Sequence, residues 1–283
     1  MIRVCITGAG SYIGTRIGLR LAEMPERFEV TELDVSQPWQ PERLNGFDAV
    51  IHVAGIAHQK ETDENRALYT AVNRDLALEV AKAAKANGVK QFVFFSSMSV
   101  YGRLTGSIDA TTQPAPNTAY GLSKWEAEKG LAELADDSFR VATLRPPMIY
   151  GKGCRGNYPR LSALARSLPV FPKVSNQRSM LYIGTLCSFV QSLLESGEGG
   201  LYFPQNRDYV NTTALVKEVA RCHRKRVLML PGFGWLLKKL EGKISLVDKV
   251  FGSLTYDQRM SDAFRPADEL DFSATIAQTE DVQ

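Results

Sequence analysis

A tyrosine and a lysine one helical turn apart are the first residues in this sequence whose types suggest chemistry. Tyr120 and Lys124 are four residues apart, and none of the other tyrosines has a lysine at this offset. In a helix the two side chains share one face. An ammonium about 4 Å from a phenol, at an effective dielectric constant of about 20, stabilises the phenolate by ~4 kcal/mol, or about three pKa units. We therefore expect Tyr120 to act as a general base near neutral pH.

A serine completes this candidate group. Ser97 ends a predicted strand, directly after Ser96. A hydroxyl at this position would orient a substrate hydroxyl toward Tyr120. The tyrosine–lysine spacing also arises often by chance, so the prediction depends on the serine and its place at a strand end.

Three glycines near the start of the chain predict a phosphate-binding turn. Gly8, Gly10 and Gly14 lie between a predicted strand and a predicted helix. At such a junction a dinucleotide pyrophosphate meets free backbone N–H groups and the positive end of the helix. Asp34 follows the second predicted strand, about twenty residues after Gly14, where a carboxylate accepts hydrogen bonds from an adenosine ribose and repels a 2′-phosphate. The pattern predicts NAD as the cofactor in preference to NADP.

Strands alternate with helices through the first half of the chain. The apolar periodicity predicts strands at 2–7, 28–33, 48–54, 91–96 and 140–144, and helices at 13–24, 68–86 and 120–135. This alternation predicts an α/β fold of the Rossmann type, in which helices cover both faces of a doubly wound parallel sheet.

The pattern changes after Pro147, where segments become shorter and Gly and Pro more frequent. We expect residues 1–147 to form an NAD-binding Rossmann domain, to which the chain returns at about 180–204. Residues 148–179 and 205–283 then form a smaller, partly interleaved C-terminal domain that binds the substrate.

Composition limits the classes of function. The 283 residues carry a net charge of +3, too small to suggest a nucleic-acid partner or an anionic membrane. The 4 cysteines lie far apart and there are 3 histidines, so no metal site is expected. No apolar run approaches the ~20 residues that span a bilayer, and the first residues do not resemble a signal peptide. We expect a cytoplasmic protein without a membrane span.

Several stretches follow one another in an order typical of a known family. They are Thr7–Gly14, Val53–Gly55, Val72–Asn73, Ser96–Gly102, Tyr120–Lys124 and Arg145–Gly151. Through this set the sequence resembles an extended short-chain dehydrogenase/reductase. More closely, it resembles the NAD-dependent epimerase/dehydratase family, whose members act on nucleotide sugars.

The resemblance implies roles for individual residues. Ser97, Tyr120 and Lys124 would form the catalytic triad, and Lys124 would also hold the nicotinamide ribose. Gly8, Gly14 and Asp34 would bind the NAD pyrophosphate and the adenosine ribose. The other implied cofactor contacts are Gly10, Ser11, Tyr12, Ile13, Val53, Ala54, Gly55, Asn73, Tyr120 and Pro147. The implied substrate contacts are Ser99 and Arg178, whose planar guanidinium suits a diphosphate.

Three places depart from the family pattern. Ser11 replaces the usual middle glycine, so either its hydroxyl binds phosphate or the loop is remodelled. Met98 and Ser99 stand where 4,6-dehydratases carry an acidic pair, which argues against dehydration. Met148 stands where hexose 4-epimerases often have an asparagine, which weakens that assignment without removing it.

These observations predict an NAD-dependent epimerase that oxidises C4 of a nucleotide sugar transiently, with a UDP-hexose or a UDP-N-acetylhexosamine as substrate. Two alternatives stay open: a reductase of a 4-keto nucleotide sugar, and a non-catalytic regulator that senses a dinucleotide on the same fold. The intact Ser97, Tyr120 and Lys124 disfavour the regulator. A homodimer is compatible with the sequence.

Overall fold

The computed structural model describes residues 1–57, 61–232, 239, 245–266 and 269–281. The strands of its central sheet are β1 (Ile2–Thr7), β2 (Phe28–Leu33), β3 (Ala49–His52), β4 (Gln91–Phe95), β6 (Arg140–Leu144) and β10 (Gly200–Tyr202). All their pairings are parallel, in the order β2-β1-β3-β4-β6-β10. The predicted α/β fold of the Rossmann type is confirmed.

Helices cover both faces of this sheet. On one face lie α1 (Tyr12–Ala22) and α6 (Ile183–Ser196), and on the other lie α3 (Leu76–Ala86) and α4 (Ala119–Leu134). Successive side chains of a strand point to opposite faces. In β1, Val4 and Ile6 therefore join the first apolar layer, while Cys5 joins the second. The sheet is buried on both sides, as its continuous apolar strands require.

The connections after β1 and β3 lead to opposite faces of the sheet, so a cleft is expected at the carboxyl ends of these two strands. Thr7, the last residue of β1, lies opposite Leu33 of β2 and opposite His52 of β3. The loop after β1 leads toward one side of the sheet, and the loop after β3 leads toward the other. Open α/β sheets bind their ligands at such a topological switch point, outside the carboxyl ends of the strands.

Shorter elements complete the described residues. Parallel pairs join β7 (Met148–Tyr150) to β9 (Met180–Tyr182), β8 (Val170–Pro172) to β11 (Leu228–Leu230), and β5 (Gly106–Ile108) to β12 (Leu254–Tyr256). A separate apolar core contains side chains from four further helices: α5 (Asn157–Ser167), α7 (Thr212–Cys222), α8 (Ser245–Phe251) and α9 (Phe272–Glu280). The exact division into a cofactor domain and a substrate domain stays a prediction. Within the described parts of the chain, no helix combines the length and the apolar character needed to cross a membrane.

One predicted helix differs from the observed one. The sequence pattern predicts a single helix over 68–86, whereas the structure has α2 (Asp63–Thr70), a π-helical turn at Ala71–Asp75 and then α3. A π-helical turn takes up an extra residue and occurs frequently at functional sites. Here it carries Asn73, which is fully buried.

Two glycines with the same backbone conformation allow a matched stability test. Gly102 ends the 3₁₀ helix Met98–Tyr101 with φ = 62°, and a Cβ there would lie 2.1 Å from the carbonyl oxygen of Ala115. Gly197 ends α6 with φ = 64°, and nothing lies within 4 Å of its Cβ position. We expect Gly197→Ala to cost about 1–2 kcal/mol from backbone strain alone. Gly102→Ala should cost roughly 1–3 kcal/mol more, from the forced movement of Ala115. Urea unfolding measures both, and equal losses would contradict the steric argument.

Candidate active site

The glycine loop after β1 presents its backbone to the switch point. Gly8 has φ = 96°, and a Cβ there would lie 2.8 Å from the backbone nitrogen of Ala54, in the loop after β3. Glycine therefore lets the two loops approach each other. Gly10 also has a positive φ, of 70°, with open space around its Cβ position. The loop thus leaves room for a ligand above β1 and β3.

Ser11, which replaces the middle glycine of the family pattern, begins α1. Its Oγ accepts a hydrogen bond of 3.1 Å from the backbone nitrogen of Gly14 and so forms the N-cap of the helix. A Cβ on Gly14 would lie 2.7 Å from this Oγ. The Ser11 cap needs the space that Gly14 leaves. This gives a structural reason for the departure from the family pattern.

Apolar residues that were predicted to line the cofactor lie around the same loops. Tyr12, Ile13 and Val53 are partly buried and pack against the first apolar layer. The Tyr12 hydroxyl is buried without a hydrogen-bond partner among the described residues, and burial raises its pKa. Pro147 is buried after the end of β6. Their contacts with a cofactor stay predictions.

Two carboxylates stand at the end of β2. Asp34 is exposed, and its Oδ1 accepts hydrogen bonds from the backbone nitrogen and the hydroxyl of Ser36, which lower its pKa. Glu32 lies two residues earlier on the same side of the strand. Its Oε2 accepts a hydrogen bond of 3.1 Å from the backbone nitrogen of Gly10 in the glycine loop. The role of Asp34 stays a prediction, and Glu32 is a second candidate for the same contact.

The carboxyl end of β4 carries a pair of hydroxyls. Ser97 caps the following 3₁₀ helix, since its Oγ accepts a hydrogen bond of 3.1 Å from the backbone nitrogen of Ser99. The Ser97 hydroxyl also donates to the Ser99 hydroxyl at 3.1 Å. Met98, between them, is buried. The structure therefore places the predicted catalytic serine and the predicted substrate contact Ser99 side by side.

The helix α4 brings the tyrosine and the lysine to this turn. Thr118 is its N-cap, with Oγ1 accepting a hydrogen bond of 3.0 Å from the backbone nitrogen of Gly121. A Cβ on Gly121 would lie 2.6 Å from the carbonyl oxygen of Ser99. Glycine at this position lets the first turn of α4, with Tyr120, pack directly against the serine turn.

Burial dominates the electrostatics of the two catalytic candidates. The Lys124 side chain is 5% exposed, and burial lowers its pKa from 10.5 to about 8, against the opposing effect of Glu128. Burial also raises the pKa of Tyr120, against the opposing effect of a hydrogen bond with Ser97. The expectation that Lys124 moves the pKa of Tyr120 toward neutrality is wrong here, because loss of solvation is the largest effect and raises that pKa.

Asn73 connects the π-helical turn to the catalytic helix. Its Oδ1 accepts from the backbone nitrogen of Ile56 at 2.9 Å, and its Nδ2 donates to the carbonyl oxygen of Ile56 at 3.1 Å and to the Ser123 hydroxyl at 3.2 Å. A Cβ on Gly55 would lie 2.8 Å from Asn73 Oδ1 and 3.3 Å from Lys124 Nζ. Gly55 and Asn73, two predicted cofactor contacts, and Lys124, the predicted catalytic lysine, are therefore neighbours.

A neutral histidine lies under the site. His52 is fully buried at the end of β3, and its Nδ1 is 2.7 Å from the Thr7 hydroxyl. Burial lowers its pKa to about 3, and the charge of Lys124 acts in the same direction. Of the neighbouring Lys124 and His52 side chains, only Lys124 therefore carries a positive charge.

Arg178 is engaged elsewhere in the structure. Its Nη1 donates to the carbonyl oxygens of Asp248 and Gly252, at 3.3 and 2.8 Å, at the end of α8. Its backbone bridges to Val210 and Leu254. These contacts belong to α8 and the elements around it rather than to the Ser97–Tyr120 group. The pairing of Arg178 with a substrate diphosphate stays a prediction.

The chain is similar to known proteins of one family. A model of the NAD dependent epimerase/dehydratase family matches residues 4–203. The UDP-glucose 4-epimerase of Vibrio cholerae is 33% identical over 244 residues, which cover 81% of this chain and 74% of that protein. The N-acetyl-alpha-D-glucosaminyl-diphospho-ditrans,octacis-undecaprenol 4-epimerase of Escherichia coli O157:H7 is 29% identical over 280 residues, which cover 87% of this chain and 83% of that protein.

A solved structure shows the same fold. The UDP-glucuronic acid 4-epimerase from Bacillus cereus, in complex with NAD, matches with a TM-score of 0.78 over 99% of this chain and 96% of that chain, at 16% identity. The family match spans more than half of the sequence and includes the glycine loop, the serine turn and the catalytic helix described above. The chain therefore belongs to the NAD-dependent epimerase/dehydratase family and is an NAD-dependent enzyme of the extended short-chain dehydrogenase/reductase type.

Proposed function

We propose that this enzyme is a 4-epimerase of a nucleotide sugar, of the UDP-hexose or UDP-N-acetylhexosamine class. The observation that carries the proposal is the close packing of the Ser97 turn against the helix with Tyr120 and Lys124, next to the switch point of the sheet. The similarity to the UDP-glucose 4-epimerase of Vibrio cholerae supports it.

The residues around the glycine loop fit NAD. The close approach of Gly8 to Ala54 leaves backbone facing the cleft, and the N–H groups at the start of α1 suit a pyrophosphate. Glu32 and Asp34 offer carboxylates to the adenosine ribose. Lys124 would hold the nicotinamide ribose. When bound, NAD supplies a store for the hydride that leaves C4.

Each catalytic residue then has one task. Tyr120 accepts the proton of the C4 hydroxyl, and Ser97 orients that hydroxyl through hydrogen bonds. The ammonium of Lys124 favours the phenolate, against the effect of burial, which raises the pKa of Tyr120. Once the 4-keto sugar has turned its other face to the cofactor, Tyr120 returns the proton to the same oxygen. The cycle inverts C4 without net oxidation, and it needs a site that keeps the keto sugar from water.

The same residues argue against the other reactions of the family. Dehydration needs acids beside the serine, whereas Met98 is buried and Ser99 is hydrogen-bonded to Ser97. A 4-keto reductase would use the same three catalytic residues. Biosynthetic reductases commonly draw on NADPH, and the two acids at the end of β2 disfavour a 2′-phosphate. The packed catalytic group disfavours a non-catalytic regulator.

A second candidate substrate carries its sugar on a polyprenyl diphosphate instead of a nucleotide. The relative from Escherichia coli O157:H7 is named for such a substrate. An apolar face on the β8–β11 pair favours it here, because Val170 and Leu228 are register partners that are 41% and 63% exposed. Leu168, two residues before Val170, is 39% exposed. Exposed basic residues nearby in sequence include Arg166, Lys173, Arg224, Lys225 and Arg226.

The cytoplasmic location and the homodimer expected from the sequence also belong to this proposal. Both stay predictions. Light scattering of the purified protein tests the dimer, and cell fractionation tests the location.

A substrate panel tests the reaction type. Purified protein is incubated with UDP-hexoses, UDP-N-acetylhexosamines and a polyprenyl-diphosphate N-acetylhexosamine, without added reductant, and the C4 configuration is followed by NMR. We expect inversion of C4 on a UDP-sugar. Inversion only on the polyprenyl-linked sugar would select the second candidate. Turnover that requires a 4-keto sugar and stoichiometric NADH or NADPH would contradict both.

Tyr120→Phe tests the general base. We expect kcat to fall by at least about 10²-fold, the usual contribution of one proton-transfer group, while NAD affinity stays close to that of the wild type. Tyr202→Phe is the control, because it removes a hydroxyl that donates to the carbonyl oxygen of Gly199 at 2.9 Å, just before β10. That variant should keep its activity. Near wild-type turnover by Tyr120→Phe would exclude the assigned role.

Dissociation constants for NAD⁺ and NADP⁺ test the acids at the end of β2. We expect the wild type to bind NAD⁺ more tightly, because a carboxylate repels the 2′-phosphate. Asp34→Asn and Glu32→Gln each remove one charge at nearly constant size. The variant in which the dissociation constants for NAD⁺ and NADP⁺ come closer together identifies the acid that contacts the ribose. Tighter binding of NADP⁺ by the wild type would show that neither acid has this role.

A further inference from the structure

A buried ion pair lies directly behind the catalytic residues. Arg145, after the end of β6, and Glu128, on α4, have side chains that are 5% and 6% exposed. The guanidinium Nε donates to the two carboxylate oxygens at 3.0 and 3.2 Å, and Nη2 donates to Oε2 at 2.5 Å. A bidentate pair of this kind fixes the relative orientation of its two side chains.

Hydroxyls and aromatic rings complete this network. Ser96 Oγ donates to Glu128 Oε1, and Arg145 Nη1 donates to the Tyr101 hydroxyl at 2.7 Å. The guanidinium carbon also lies 5.1, 5.4 and 5.9 Å from the ring centroids of Tyr101, Trp125 and Phe203. The rings keep water from the charge, so the pair depends on its internal partners.

Each polar member of the network is attached to a catalytic element. Ser96 immediately precedes the catalytic serine, and Glu128 lies one helical turn after the catalytic lysine. Tyr101 belongs to the 3₁₀ helix that the catalytic serine caps. Arg145 precedes Pro146, whose carbonyl oxygen accepts a hydrogen bond of 3.0 Å from the backbone of that 3₁₀ helix. The network therefore joins the serine turn to the tyrosine–lysine helix from behind.

We propose that the Arg145–Glu128 pair is a positioning element of the reaction. It locks the strand end that carries Ser97 to the helix that carries Tyr120 and Lys124, and Glu128 is the counter-charge of Lys124. The inference rests on the proposed function, because that function assigns the proton transfer to these three residues. Glu128 and Arg145 act through them and do not touch the substrate.

The charges that face Lys124 make the second part of this inference testable. On the same helix, Glu128 raises the pKa of Lys124 while burial lowers it to about 8. From β3, His52 is neutral because burial lowers its pKa to about 3. Beyond β6, Arg145 is positive and is paired with Glu128. Other titratable groups near the catalytic residues are Tyr101 and Tyr120, whose pKa values burial raises, and Tyr69, whose ring centroid lies 6.3 Å from that of Tyr120. Loss of the Glu128 charge leaves uncompensated positive charge beside Lys124, so its pKa should fall.

The experiment compares Glu128→Gln with the double variant Glu128→Gln/Arg145→Met. Removing one partner of a buried pair leaves an unpaired charge, whereas replacing both restores much of the stability. We expect thermal unfolding to show this recovery in the double variant. In both variants, kcat should be at least tenfold below that of the wild type. The alkaline limb of the kcat–pH profile should move to lower pH, by about one unit in Glu128→Gln.

The Lys124 titration is read independently of turnover. Its side-chain NMR signal, identified by its loss in Lys124→Arg, should titrate at lower pH in Glu128→Gln than in the wild type. Glu126→Gln is the matched control, because Glu126 lies on the same helix in a partly exposed ion pair with Arg74, at 3.0 Å. It should change neither the titration nor kcat.

Two results would overturn the proposal. One is a stable double variant with wild-type kcat and pH profile, which would reduce the pair to a structural role. The other is a Lys124 titration in folded Glu128→Gln that matches that of the wild type; if that variant does not fold, the kcat of the double variant decides. A wild type that turns over no sugar, together with the expected shift of the Lys124 titration, would reject the proposed function while supporting Glu128 as the counter-charge.

Discussion

A positively charged lysine that is buried from water is the constraint on which the rest of the structure depends. Taking an ammonium out of water is costly unless neighbouring groups compensate for it. Lys124 is 5% exposed and has two such neighbours: the ring of Phe94, whose centroid is 4.8 Å from its Nζ, and the carboxylate of Glu128. His52, beneath it, adds no charge because its pKa is lowered to about 3. Glu128 offsets only part of the lost solvation, since burial still lowers the pKa of Lys124 to about 8.

The parallel sheet gathers this site from distant parts of the chain, and glycines set the distances. The ends of β1, β3, β4 and β6 lie at one edge, so their loops converge there. At Gly8, Gly55 and Gly121 a Cβ would lie 2.8, 2.8 and 2.6 Å from an atom of a neighbouring loop or side chain. Each glycine stands where two functional segments touch. A larger residue at any of them would separate the cofactor loop, the lysine or the serine turn from its neighbour.

The fold and the placement of Tyr120 and Lys124 on one helix were predictable because both are encoded locally. Apolar periodicity marks strands and helices, and the four-residue spacing of Tyr120 and Lys124 places them on one helix face. The reach of Glu32 to the glycine loop and the pairing of Arg145 with Glu128, 17 residues apart, were not predicted. Such contacts depend on how separate elements pack, which no local pattern contains. The direction of the Tyr120 pKa was missed for the same reason, since spacing does not reveal burial.

The π-helical turn at Ala71–Asp75 limits how this sequence can change in length. An α-helix advances by about 100° per residue, so taking out one residue from the turn would rotate everything before it relative to everything after it. The residues of α3 that fill the second apolar layer, such as Val80, would then face in a different direction relative to α2. Asn73 would lose its alignment with both Ile56 and Ser123. A substitution changes one side chain, whereas an insertion or deletion in this segment would disturb the packing of both the sheet and the helix α4.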